Sequence, residues 1–200
     1  STGNATHFGN LYAAGSYKSS ACSDGTRGLF ATSGIDYFTI ASASDATQFG
    51  TLSVSRIETA ACSNGTRGVW GGGATPAINS IEYVTIATTG NGTDFGDLTV
   101  ARTRISSLGN ETRGIWAAGE NSAGGNTNII DYVTIDTTGN ATDFGDTTVS
   151  GSFRAGCSSP TRGIFGGGFV GGSGSNVLDY ITIATTGNAT DFGNLTVGRY

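Results

Sequence analysis

Short apolar runs broken by glycine and threonine recur along the chain in one order. In the C-terminal quarter, Thr161-Arg162-Gly163-Ile164-Phe165 leads into Gly166-Gly167-Gly168, and after a loop comes Val177-Leu178-Asp179-Tyr180-Ile181-Thr182-Ile183. On a strand, Leu178, Tyr180 and Thr182 of the second run share one side, and Val177, Ile181 and Ile183 share the other. That pattern is close to burial on both faces. Thr185-Thr186-Gly187-Asn188 then supplies residues that tolerate a positive φ, predicting a hairpin onto a third strand over 189–197. A short piece before Thr-Arg-Gly, such as 154–157 or 57–62, predicts a fourth strand.

The pattern is a repeat. Thr-Arg-Gly starts at Thr26, Thr66, Thr112 and Thr161, at intervals of 40, 46 and 49 residues. Phe-Gly starts at Phe8, Phe49, Phe95, Phe144 and Phe192, at intervals of 41, 46, 49 and 48 residues. Two markers in one phase predict tandem units of 40–49 residues, and four short antiparallel strands in such a unit make a propeller blade. The units divide as a partial repeat at 1–14, then 15–55, 56–101, 102–150 and 151–200, in one repeat domain. Residues 2–11 match 186–195 except at His7, where Asp191 stands, so both terminal copies would claim one outer slot of a closed ring. Either one copy is surplus, or the chain is an excerpt of a longer array, or one copy completes a blade in a neighbouring molecule. Repeats bury their faces only against neighbours, so array or intermolecular use is expected.

Composition agrees with strands. Glycine, threonine and serine number 34, 30 and 21, against seven leucines and four glutamates, a poor stock for helices. Hydrophobic residues at 36% can still build a β core. A net charge of −5 with a single lysine argues against a nucleic-acid groove. No run approaches the roughly 20 apolar residues of a membrane span, so no membrane insertion is expected. No signal-peptide, polybasic or lipidation pattern is present. Ser1 follows removal of a Met or begins a piece of a longer polypeptide.

Candidate chemistry is thin. Arg27, Arg67, Arg113 and Arg162, one per unit, read as structural, lining a channel or bonding carbonyls of the next blade; Phe49, Phe95, Phe144 and Phe192 read as repeated wedges between sheets. The glycines are expected where inner strands converge on the axis. Cys22, Cys62 and Cys157 share a slot with Leu108, so they read as buried free thiols too far apart for a disulfide. Asn-x-Thr sequons at Asn4, Asn64, Asn91, Asn110, Asn140 and Asn188, among others, read as turn chemistry. Asp94/Asp97 and Asp143/Asp146 lack the dense oxygen set of a Ca²⁺ loop, and no metal or cofactor is expected. His7 occupies the slot of Gln48, Asp94, Asp143 and Asp191. Almost every polar group is a repeat copy, so no catalytic residue is assigned and no enzymatic activity is expected. The loop after the glycines does vary between units. Candidate binding residues are Thr75 and Asn79; Glu120, Asn121, Asn126 and Asn128; and Phe169, Ser173 and Asn176.

Val69-Trp70-Gly71-Gly72 and Ile164-Phe165-Gly166-Gly167 are similar to the double-glycine strand of kelch repeats. Asp36-Tyr37, Glu82-Tyr83, Asp131-Tyr132 and Asp179-Tyr180 are similar too, as are the aromatic after each hairpin and the unit-opening Arg56, Arg102, Arg154 and Arg199. The resemblance spans the chain but departs in Phe for Trp, in the Thr-Gly-Asn turns, and at Ala31-Thr32 and Ala117-Ala118. The wording more closely resembles kelch-like repeats of large bacteriophage virion and tail-fibre proteins. The resemblance implies an all-β, kelch-like β-propeller of four four-stranded blades of about 40–49 residues, with a surplus terminal strand. It implies a non-enzymatic structural or adhesion module of a virion fibre or decoration protein, at the virion or extracellular surface. Its partners would be other virion or filament proteins, including itself through a terminal strand. One alternative is a carbohydrate-binding propeller, with Trp70, Trp116 and loop asparagines on a surface glycan. Another is an extracellular filament subunit joined by strand exchange.

Overall fold

The computed structural model describes residues 4–12, 18–32, 34–73 and 76–200, and among these there is no helix. β1 (Ser20–Ser23), β2 (Arg27–Ala31), β3 (Gly34–Thr39) and β4 (Thr47–Thr51) pair in chain order as one antiparallel sheet. β5 (Ala60–Ser63), β6 (Arg67–Gly71), β7 (Ser80–Thr85) and β8 (Thr93–Asp97) repeat it. In the third unit β9 (Arg102–Thr103) pairs with β12 (Glu120–Asn121), beside the sheet of β10 (Ser106–Gly109), β11 (Arg113–Ala117), β13 (Thr127–Thr134) and β14 (Thr142–Gly151). The fourth contains β15 (Ala155–Ser158), β16 (Arg162–Gly166), β17 (Phe169–Val170), β18 (Ser173–Thr182) and β19 (Thr190–Arg199). These four sheets are the blades of a β-propeller, and residues 4–12 form an extra terminal segment against the first.

Local chemistry explains the first hairpin of each blade. Asp24 Oδ1 accepts the amides of Thr26 (2.7 Å) and Arg27 (2.6 Å), closing the turn between β1 and β2. Asn64 and Asn110 do the same one and two blades on, and the Ser159 hydroxyl does so in the fourth. Short polar side chains compete well for such amides, which is why Asp, Asn or Ser stands there. Burial would raise the Asp24 pKa, but the two amides and the nearby Arg27 outweigh it and hold the carboxyl below its usual value.

The axis is lined by the first strand of each blade. β1 packs on β5, β5 on β10 and β10 on β15. The double glycines therefore do not mark the axis, contrary to the expectation from sequence. They follow the second strand, where the chain takes left-handed φ: 60° at Gly72 and 66° at Gly167, with Ala118 at 59° in the same place.

The core lies between the blades. Leu29, Ile35 and Phe49 of blade 1 pack against Trp70, Val84 and Ile86 of blade 2. Val69, Ile81 and Phe95 then meet Trp116, Val133 and Ile135 of blade 3. Ile115, Ile130 and Phe144 meet Phe165, Ile181 and Ile183 of blade 4. Each buried side chain of this size contributes about 1.5–3 kcal/mol, so each blade is stabilised chiefly by its neighbour.

Candidate interaction surface

Every junction carries the same polar ties. The amides of Gly90, Gly139 and Gly187 donate to the carbonyls of Phe49, Phe95 and Phe144 in the preceding blade. Oδ1 of Asn91, Asn140 and Asn188 accepts the amides of Thr51, Asp97 and Asp146. These sequon asparagines thus join blades as well as turning the chain. Arg27, Arg67 and Arg113 lie over their own Tyr37, Tyr83 and Tyr132 and donate onward to the carbonyls of Ile86, Ile135 and Ile183. Arg162 lies over Tyr180 in the same way, but its guanidinium is at the exposed edge of blade 4.

A second set of arginines is buried. Arg102 donates to Asp131 Oδ2 (2.5 Å) and to the carbonyls of Ala118 and Ile129, and Arg56 meets Glu82, Gly72 and Ser80 in the same manner. Burial pulls both guanidiniums below the usual arginine pKa, and the facing carboxylates oppose that shift. In blade 4 the corresponding backbone position is Gly151, which has no side chain, and Arg154 reaches Asp179 Oδ2 (2.6 Å) instead. Arg199 stands where Arg56 and Arg102 stand. It has no carboxylate partner among the described residues, and its hydrogen bond goes to the carbonyl of Val197.

Charge also runs across the blades at one end of the axis. Glu58 pairs with Lys18 and Arg104, and Arg104 pairs with Glu120 and lies over the Phe153 ring. Burial would raise the Glu58 pKa, but the two cations outweigh it and lower it. The backbone follows the same line, the amides of Glu58, Arg104 and Phe153 donating to the carbonyls of Lys18, Glu58 and Arg104.

Of the candidate loop residues, the structure joins those of blades 3 and 4. Glu120 belongs to the ion-pair chain, Asn126 Nδ2 donates to the Phe169 carbonyl, and Asn128 offers its carbonyl to Thr147. The Asn121 side chain folds its own loop by accepting the amides of Ala123 and Gly125. Ser173 and Asn176 are exposed, and Phe169 stacks edge-on with Tyr200. Asn79 is exposed with its carbonyl bound to the Leu98 amide. Thr75 lies outside the described residues.

The sequence did not reveal the unfilled face of blade 4. Blade 4 places Ile164, Leu178 and Leu195 around an apolar groove of about 410 Å³ and leaves Phe192 exposed, all four at positions that blades 1 to 3 bury. Phe49, Phe95 and Phe144 are 4%, 2% and 2% exposed, whereas Phe192 is 48% exposed. A Cβ built at Gly50, Gly96 or Gly145 would strike the next blade's turn glycine, but at Gly193 it would meet open space. β15 is exposed throughout, and no packing of the extent seen between other inner strands joins it to β1. The slot against blade 1 is held by the N-terminal copy. Asn10 accepts the Ala46 amide and donates to Asp45 Oδ1 (2.8 Å), the Tyr12 amide reaches Asp36 Oδ2 (3.0 Å), and Phe8 stacks edge-on with Phe38.

Two sequence expectations change here. The three thiols are free, with Cys62 buried and Cys22 half-buried between blades, but Cys157 is exposed because it lies on the uncovered face of blade 4. Trp70 and Trp116 are fully buried between blades, with Trp116 Nε1 bound to the Ala60 carbonyl, so neither can stack on a sugar. No group of three or more metal-ligating side chains gathers among the described residues. Neither a protein-family profile nor a curated protein sequence matches the chain.

Proposed function

We propose that this chain is a non-enzymatic structural and adhesive module, a kelch-like propeller of a bacteriophage fibre or decoration protein working at the virion or extracellular surface. The observation that carries this reading is the use made of its repeated polar groups. Buried arginines, turn asparagines and stacked tyrosines are spent on joining blades, while the residues that vary between units sit in loops on that frame. The resemblance of the repeats to those of virion and tail-fibre proteins supplies the setting. The loops of blades 3 and 4, joined through Asn126 and Phe169, are the surface for host contact. Binding of the purified chain to bacterial surface glycans and to whole cells tests the adhesive role. Saturable binding lost in an Asn126→Ala/Ser173→Trp/Asn176→Ala variant supports it, and binding indistinguishable from an unrelated acidic protein rejects it. A second reading, an extracellular filament subunit, is favoured by the uncovered face of blade 4.

A further inference from the structure

The three interior junctions specify what an uncovered blade accepts. In each, the Phe-Gly strand and the adjacent apolar face of one blade receive the turn and the aromatic wedge of the next. Blade 4 presents that receiving face complete, and blade 1 presents the complementary side with Phe30, Phe38 and the exposed Ile40. The segment lodged on blade 1 is a poor substitute for a blade. It pairs with no strand, Phe8 and Leu11 remain 40% and 38% exposed, and an apolar pocket of about 310 Å³ persists beneath it. Residues 2–11 nevertheless repeat 186–195 at every position except His7.

We infer that blade 4 docks on blade 1 of a second copy of this chain, Phe192–Leu195 of one molecule supplanting Phe8–Leu11 in the slot of the other. The incoming strand repeats the contacts of the segment it displaces. It also brings Ile164 and Leu178 on the sheet behind it, so the exchange buries apolar surface that the isolated molecule leaves wet. Charge fits as well. Arg199 follows Phe192 by the same seven residues that separate Arg56 from Phe49 and Arg102 from Phe95, and those two enter the next blade to meet Glu82 and Asp131. In blade 1 that place belongs to Asp36, which already receives the Tyr12 amide. The line Lys18, Glu58, Arg104, Phe153 would continue with Lys18 of the second copy. Closure of one chain on itself is the competing arrangement. It requires three packed inter-blade cores to change angle together, whereas docking a second copy requires only displacement of one weakly held segment. Because the same face recurs on each added molecule, the contact is head-to-tail and propagates.

The inference rests on the structural role proposed above, and its test is separate from the binding assays. Sedimentation velocity from about 2 to about 200 µM is measured on the full chain, on a variant lacking residues 1–12, and on that variant with Phe192→Asp, with circular dichroism as a control of folding. Truncation is expected to lower the dissociation constant for self-association at least tenfold, and Phe192→Asp to return the truncated chain to monomer. Where truncation impairs folding, Phe8→Asp in the full chain unseats the same segment. A folded, unseated chain that stays monomeric throughout overturns the inference, whether Cys157 is then protected by closure within one chain or remains open. Binding to host surfaces is unaffected by that result, so the two proposals fail independently.

Discussion

Gly114 lies at a close contact between two blades. A Cβ there would stand 2.6 Å from Cys62 Sγ of the preceding blade and 3.2 Å from the Trp116 ring. Gly68 meets Cys22 Sγ at the same distance, and Gly163 meets the Leu108 methyls. The glycine of Thr-Arg-Gly and the cysteine-or-leucine slot are therefore two halves of one contact, which explains why both recur in phase. Overfilling such a contact costs about 1–3 kcal/mol, and Gly114→Ala is expected to destabilise by that amount in urea denaturation at unchanged slope. Cys62→Ala alone leaves a void, yet in the Gly114→Ala background it removes the obstructing sulfur. The double mutant should be more stable than the sum of the single losses by about 1 kcal/mol or more. Strict additivity would show that the two residues do not touch.

At the scale of strands and junctions, the repeat phase was legible because turn chemistry is local: Asp24, Asn64 and Asn110 cap the same amides wherever they stand. The buried acid of each blade was visible as the residue before tyrosine, but its partner in blade 4 was not a matter of phase. Gly151 holds the backbone position of Arg102, and Arg154 arrives from three residues further on because the space beside Asp179 selects a guanidinium by shape and charge. The left-handed positions were equally hidden, since Ala118 adopts the conformation of Gly72 and Gly167. A buried carboxylate that loses its only cation is strongly destabilising, about 3–5 kcal/mol. Arg102→Ala should lose that much, measured as a shift of the denaturation midpoint, whereas Arg199→Ala, with no carboxylate beside it, should change stability by less than about 0.5 kcal/mol. Equal losses would mean that Arg199 already has an ionic partner.

Across the whole molecule, the same residue types are buried in three places and wet in a fourth, so burial here is a property of what comes next in the array. Sequence identifies Ile164, Leu178 and Phe192 as core residues by their repeat positions, and only the arrangement of blades shows that no further blade covers them among the described residues. The cysteines record this gradient. Burial pushes the Cys62 thiol up to about 12 and raises Cys22 further, with the nearby Cys62 and Asp24 adding to the shift, while Cys157 is exposed on the face of blade 4. Since the thiolate is the reacting form, about one Cys62 in ten thousand is reactive at pH 8 even before access is considered. A thiol reagent at pH 8 and low protein concentration should therefore modify one cysteine rapidly, and peptide mapping should place the label on Cys157. Cys22 and Cys62 should react only at the rate of blade opening or after denaturant is added. Rapid labelling of Cys62 alongside Cys157 would mean that the first three blades are not packed as a unit, and the ladder of inter-blade cores would then have to be abandoned.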